Sequence, residues 1–252
     1  MLELFNLEGK VAIVTGCNTG LGQGIAMGLA EAGCKVVGVN RTEPKETIEV
    51  MNAADHTFLD VRADLLKQEC IPGIIEKALT EFGQIDILVN NAGIIRREDA
   101  IEFSERNWDD VMNINTKTVF FMSQSVAKQF KAQGTGGKII NIASMLSFQG
   151  GIRVPSYTAS KSAVMGITRA MANEWARDNI NVNAIAPGYM ETNNTQALRE
   201  DADRNQAILE RIPAERWGTP KDVAGPCVFL ASSASDYING YTIAVDGGWL
   251  AR

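Results

Sequence analysis

A single histidine, His56, serves the whole 252-residue chain. Hydrolase triads and multi-histidine metal centres both place an imidazole beside a nucleophile or further ligands, so this scarcity excludes them. Cysteine is nearly as sparse. Cys17, Cys34, Cys70 and Cys227 are widely separated and form no C-x-x-C pair, so no metal site and no disulfide framework is expected. Long apolar runs are missing too. None approaches the roughly 18 residues a bilayer span needs, and Glu3, Glu8 and Lys10 interrupt the start of the chain. No membrane partner and no secretory signal is expected, and a cytosolic location follows as an expectation. Positive charge is also in deficit, with 24 Lys and Arg against 30 Asp and Glu and a net charge of −6. A phosphate backbone demands a basic surface, so nucleic acid is excluded as a partner and the ligand is expected to be small.

What is present is an ordinary globular composition, 45% hydrophobic and 21% charged. Short β-branched or apolar runs recur at Val11 to Thr15, Val36 to Val39, Thr57 to Leu59, Ile87 to Asn90, Lys138 to Ala143, Asn181 to Ala186 and Thr242 to Val245. Between them lie helical patterns such as Leu21, Ile25, Leu29 and Ala32, spaced by three and four residues on one face. Continuous apolar strands alternating with helices imply a parallel sheet covered on both faces. Right-handed crossovers then make residues 1–252 one α/β, doubly wound, Rossmann-type domain with seven parallel strands. The segment Gly188 to Gly218, rich in Asn, Thr, Arg and Glu, is much longer than a usual connection and is expected to form a lid with some helix of its own.

The first strand runs into Thr15-Gly16-Cys17-Asn18-Thr19-Gly20-Leu21-Gly22, with a helix beginning around Leu21. Glycines let the backbone turn sharply against a pyrophosphate, and the free N–H groups of a helix start favour its charge. Cys17 lies inside this turn, where the helix terminus favours a thiolate. No resolving partner is visible, so it is expected to be a small structural residue. At the end of the second strand, where a carboxylate would hold the adenosine ribose, the chain reads Val39-Asn40-Arg41. Arg41 either attracts a 2′-phosphate or is a solvated loop charge, which leaves NADP open beside NAD. Asp60-Val61 is expected to end the third strand, its carboxylate facing the adenine amino group. Asn90-Asn91-Ala92-Gly93 ends the fourth with small residues that admit a cofactor closely.

Further along, Ser144 precedes Tyr157-x-x-x-Lys161. On a helix Lys161 lies one turn beyond Tyr157 on the same face, where its ammonium favours a phenolate. Each unit by which a phenol falls from its usual pKa near ~10 corresponds to roughly 1.4 kcal/mol. A tyrosine so tuned is expected to exchange a proton while a serine hydroxyl donates to a developing oxyanion.

Taken together, Thr15-Gly16-x-x-x-Gly20-x-Gly22, Asn90-Asn91-Ala92-Gly93, Asn115, Ser144, Tyr157-x-x-x-Lys161 and Pro187-Gly188 span nearly the whole chain and resemble the short-chain dehydrogenase/reductase family. The resemblance implies Tyr157 as acid/base, Ser144 holding the substrate oxygen, and Lys161 lowering the Tyr157 pKa and binding the nicotinamide ribose. Asn115 would help hold a proton-relay water. It further implies cofactor contacts at Gly16, Asn18, Thr19, Gly20, Leu21, Gly22, Asn40, Arg41, Asp60, Val61, Asn91, Ala92, Gly93, Tyr157, Lys161, Pro187, Gly188, Met190 and Thr192. It also implies a homotetramer joined through helices carrying Asp109 to Lys128 and Tyr157 to Trp175.

The segments Ile94 to Asp99, Ser144 to Tyr157 and Gly188 to Thr195 resemble more narrowly the members that exchange a hydride between NAD and C5 of a keto-deoxy sugar acid. A sugar acid needs a carboxylate partner, and a guanidinium offers a planar two-point match. Arg97 and Arg153 are the candidates, each also readable as a surface arginine. Met145, Gln149, Asn193 and Asn194 are candidates for reading hydroxyls, with Ser144 and Tyr157 at the reacting oxygen. The alternatives are a gluconate 5-dehydrogenase, a 3-oxoacyl thioester reductase using NADPH, and a non-catalytic dinucleotide sensor.

Overall fold

A computed structural model describes residues 2–252. Seven parallel strands form one sheet in the order β3-β2-β1-β4-β5-β6-β7: β1 Val11–Thr15, β2 Lys35–Asn40, β3 Phe58–Arg62, β4 Ile87–Asn90, β5 Gly137–Ile142, β6 Ile180–Pro187 and β7 Thr242–Val245. The strands at residues 11, 87 and 242 fall where the apolar runs place them. The third runs later than expected, so Asp60 and Val61 lie inside it rather than at its end. The cause is pairing: β2 stays in register with β3 through Asn40 and Arg62, and Ala63 N–H donates to the Asn40 carbonyl at 3.0 Å.

The helices are α1 Gly20–Glu31, α2 Lys45–Ala53, α3 Ile71–Phe82, α4 Glu105–Met112, α5 Val119–Gln133, α6 Pro155–Trp175, α7 Gln196–Glu200, α8 Ala202–Arg211 and α9 Pro220–Ala231. Neighbouring residues of each inner strand feed opposite faces, which explains the unbroken apolar runs. Ala12 and Val14 join Ile25, Leu29, Val223 and Leu230 beneath α1 and α9. Val11 and Ile13 join Ile74, Val126, Phe130 and Met171 beneath α3, α5 and α6. The stretch Asp109 to Lys128, expected as one helix, is interrupted by a π-helical turn over Asn113–Thr118 between α4 and α5.

Strand order reverses where β1 lies between β2 and β4. At such a switch point the loops leaving the carboxyl ends diverge and open a crevice. The loops after β1, β4, β5 and β6 all emerge there, carrying Gly16, Asn91, Ser144 and Gly188. Among the described residues no helix is long and apolar enough to cross a membrane.

Phe130 is fully buried at the base of the α5 face. Phe130→Ala is expected to cost about 3–5 kcal/mol in urea unfolding; a cost below about 1 kcal/mol would contradict the packing described.

Candidate active site

The turn after β1 is built around Gly16, whose φ of +66° favours glycine and whose added β-carbon would lie 2.9 Å from Ala92 Cα. Gly22 is the other constrained position, since a β-carbon there would sit 2.1 Å from the Gly16 carbonyl oxygen. Thr15 knits this turn to the loop after β4: its Oγ1 accepts from the Asn91 and Ala92 N–H groups, both at 3.0 Å. Asn91 Nδ2 donates to the Thr15 and Gly16 carbonyls. From α2, the buried Thr47 hydroxyl donates to the Cys17 carbonyl at 2.8 Å and lies 3.3 Å from that of Asn18. Thr15 was legible as the last strand residue, whereas nothing in the local pattern marks Thr47.

The residues fit a dinucleotide. Helix α1 starts at Gly20 with no acidic residue in its first turn, and its N-cap Thr19 makes no side-chain capping hydrogen bond. Its first N–H groups and positive end suit a pyrophosphate. Asp60 Oδ1 and Asn40 Oδ1 are buried without a protein hydrogen-bond partner, as acceptors meant for an adenosine would be. Asn40 is itself buried and directs Nδ2 toward Cys17 Sγ at 3.6 Å, while Arg41 is exposed. Cys17 is buried, as the expected structural residue would be. Burial outweighs the helix start and pushes its thiol up to about 11.

The chemistry-bearing side chains gather between the loop after β5 and the start of α6. A short 3-10 turn at Met145–Ser147 follows Ser144 as a capping box. Ser144 Oγ accepts from the Leu146 N–H at 3.1 Å, which leaves its own proton free to donate. Ser147 Oγ accepts from the Ser144 N–H and donates to the Lys161 carbonyl at 2.6 Å, tying loop to helix. Ser147 was not singled out from the sequence, although its spacing from Ser144 is that of a cap.

Lys161 is almost wholly buried and donates from Nζ to the Ile142 carbonyl at 2.6 Å. Desolvation brings its pKa down to about 8. Its Nζ lies 5.6 Å from the Tyr157 ring centroid. The ammonium therefore stands close to the tyrosine ring, with one of its three N–H groups held by the carbonyl. Burial raises the Tyr157 hydroxyl above its ordinary value, opposed by hydrogen bonding from Ser144 and by the charge of Arg97.

Asn115, buried in the π-helical turn, spends its whole carboxamide. Oδ1 accepts from the Ile94 N–H at 2.9 Å, and Nδ2 donates to the Ile94 carbonyl at 2.9 Å and to Ser160 Oγ at 3.1 Å. Ser160 donates in turn to the Tyr157 carbonyl. The side chain thus braces the loop after β4 against α6.

The two arginines separate. Arg97 Nη2 donates to the Asn194 carbonyl at 3.2 Å, linking the loop after β4 to the 188–218 segment. Arg153 has a φ of +63° and an Nε–Asp99 Oδ1 ion pair of 2.9 Å between two exposed side chains. Met145 is buried among Ile208, Ile212, Trp217 and Trp249. It packs beneath the 188–218 segment. Met190 is buried where Glu191 N–H donates to the Gly218 carbonyl, which closes the base of the segment; Thr192 approaches Gly20. Pro187 ends β6, and Gly188 N–H donates to the Val245 carbonyl. Val61 is buried, while Ala92 and Gly93 line the exit from β4.

A switch-point crevice with a phosphate-cradling turn and a serine beside a tyrosine is the layout of a dinucleotide-dependent oxidoreductase. A family model described as enoyl-(acyl carrier protein) reductase matches residues 16–250, and the chain belongs to this family of short-chain dehydrogenases/reductases. It is 74% identical over 252 residues, the full length of both chains, to a 2-dehydro-3-deoxy-D-gluconate 5-dehydrogenase of Dickeya dadantii. Among solved structures it is similar to an Agrobacterium tumefaciens protein provisionally named a 2-deoxy-D-gluconate 3-dehydrogenase, with bound NADP. The match has a TM-score of 0.94 and 56% identity over 99% of each chain. A gluconate 5-dehydrogenase of Burkholderia cenocepacia in complex with NADP and tartrate matches with a TM-score of 0.94 at 38% identity, covering 100% of this chain and 99% of that one.

The buried lysine carries a pH signature. With its folded pKa near 8 against 10.5 for the free side chain, the folded state holds fewer protons than the unfolded state between those values. Stability therefore rises with pH through that window. Compared with Lys161→Met, the wild type should gain on the order of 3 kcal/mol between pH 8 and 10.5 in denaturant titrations; a constant difference would contradict it.

Proposed function

We propose that this protein interconverts 2-dehydro-3-deoxy-D-gluconate and 3-deoxy-D-glycero-2,5-hexodiulosonate by hydride exchange at C5 with NAD(H) or NADP(H). What carries the reading is the closeness of Ser144, in the turn after β5, to the Tyr157 phenol, together with the glycine turn after β1. The full-length 74% identity to a dehydrogenase of that name supports the choice of sugar acid over gluconate, and an acidic composition gives a carrier-protein thioester no basic docking face.

A bound nicotinamide supplies the hydride acceptor or donor, and the protein manages the proton. In oxidation Tyr157, ionised, takes the proton of the C5 hydroxyl, while Ser144 donates to the same oxygen and holds it. In reduction Tyr157 returns that proton. Arg97 receives the sugar-acid carboxylate on its guanidinium. Arg153 stays with Asp99. Gly16, Asn18, Thr19, Gly20, Leu21 and Gly22 would hold the pyrophosphate, Asp60 and Val61 the adenine, and Asn91, Ala92 and Gly93 the centre of the dinucleotide. Lys161 and Tyr157 would hold the nicotinamide ribose, with Pro187, Gly188, Met190 and Thr192 closing over the ring.

Asn40 offers no charge to repel a 2′-phosphate, and Arg41 is placed to attract one, which suits a relative crystallised with NADP. A homotetramer in the cytosol fits this reading, with Phe121 on α5 partly exposed as an interface residue would be.

Steady-state kinetics test the assignment. Tyr157→Phe should lower kcat about 10²–10⁴-fold with cofactor binding retained. Arg97→Ala should raise the KM for the sugar acid by tenfold or more, on the order of a lost charged hydrogen bond, whereas Arg153→Ala should leave it within about twofold. Equal effects of the two arginines would exclude the carboxylate assignment. For Arg41→Ala, the NADP KM should rise about tenfold with the NAD KM unchanged.

A further inference from the structure

The chain's last turn reaches back into the loop that carries Ser144. Trp249 is buried beside Tyr189, Trp217, Ile208, Ile212 and Met145 beneath the 188–218 segment. Its ring is held on both sides: Tyr189 meets it edge-on with centroids 4.8 Å apart, and the Arg211 guanidinium lies 4.0 Å from its centroid. The backbone beneath is equally determined. Gly247 and Gly248 have φ of +65° and +91°. Asp246 accepts from the Gly248 and Leu250 N–H groups, both at 2.9 Å, and the Gly247 carbonyl accepts from Ala214 at the end of the lid. No freedom remains to the indole, and its Nε1–H is directed at Gln149 Oε1, 3.2 Å away.

An indole nitrogen only donates. The Gln149 oxygen must therefore face Trp249, which settles the orientation of the amide and turns its NH2 the other way. Neither N–H of that NH2 has a hydrogen-bond partner among the described residues. Gln149 is half-buried and follows directly on the Ser144 capping turn. A donor pair fixed at that place can satisfy an acceptor oxygen on a ligand held at Ser144.

We propose that Trp249 is a positioning residue for substrate selection: it locks the Gln149 carboxamide so that its two N–H groups receive an oxygen of the sugar acid away from the reacting carbon. This rests on the sugar-acid reading above. The lid and the C-terminal turn share one aromatic cluster, so closing the lid and orienting Gln149 are a single packing event. Trp249 touches no substrate; Gln149 does.

The test is steady-state kinetics with the sugar acid and the dinucleotide varied separately, with thermal unfolding as a fold control. Gln149→Glu keeps an acceptor for the indole, replaces the donors by an anion, and should raise the sugar-acid KM by tenfold or more with Tm and cofactor KM unchanged. Gln149→Leu should raise it about three- to tenfold, the size of one neutral hydrogen bond. Trp249→Phe, which keeps the ring and removes the N–H, should give a comparable rise, and Trp249→Phe combined with Gln149→Leu should be no worse than Gln149→Leu alone. Wild-type KM values in both Gln149 variants, or fully additive effects in the double variant, would overturn the proposal while the sugar-acid reading stands. A wild-type enzyme that turns over no keto sugar acid would remove both.

Discussion

One carboxamide holds the catalytic crevice together. Asn115 answers both backbone polar groups of Ile94 and donates to Ser160, so a single buried side chain bonds the loop after β4 to the helix bearing Tyr157 and Lys161. Leaving such groups unsatisfied would cost about 1–3 kcal/mol each. The π-helical turn over Asn113–Thr118 widens the helical path where Asn115 sits, an irregularity of the kind found at functional sites. From that brace the rest follows: Ser160 fixes the Tyr157 carbonyl, Ser147 fixes the Lys161 carbonyl, and Lys161 reaches the Ile142 carbonyl at the end of β5.

The electrostatics follow from the same closeness. A tyrosine set among packed elements pays for its ionised form through desolvation, and a buried lysine pays likewise. Hydrogen bonding from Ser144 and the charge of Arg97 oppose the first cost. Arg97 lies where the loop after β4 meets the 188–218 segment. Under the proposed assignment, a substrate carboxylate there would alter the charge that the phenol feels.

Much of this was legible beforehand. The apolar runs gave seven strands in chain order, with β3 alone reaching well past its run, and the glycine turn with Ser144, Tyr157 and Lys161 pointed to the crevice, because backbone geometry and proton chemistry leave few residue choices at those points. What escaped was set by contacts distant in sequence. The reach of β3 to Arg62 depends on register with β2, and the different partners of Arg97 and Arg153 on Asn194 and Asp99. Thr47 and Trp249 carry no local mark at all, since each acts through a partner in another element.

The measurement that bears most directly on the account is a crystal structure of the enzyme with oxidised dinucleotide and 2-dehydro-3-deoxy-D-gluconate. The expected result has the C5 oxygen within about 2.6–3.2 Å of both the Ser144 and Tyr157 hydroxyls, with the carboxylate on Arg97 and the Asn115 brace intact. A sugar acid bound with its C5 oxygen away from those hydroxyls, or with its carboxylate on Arg153, would contradict it.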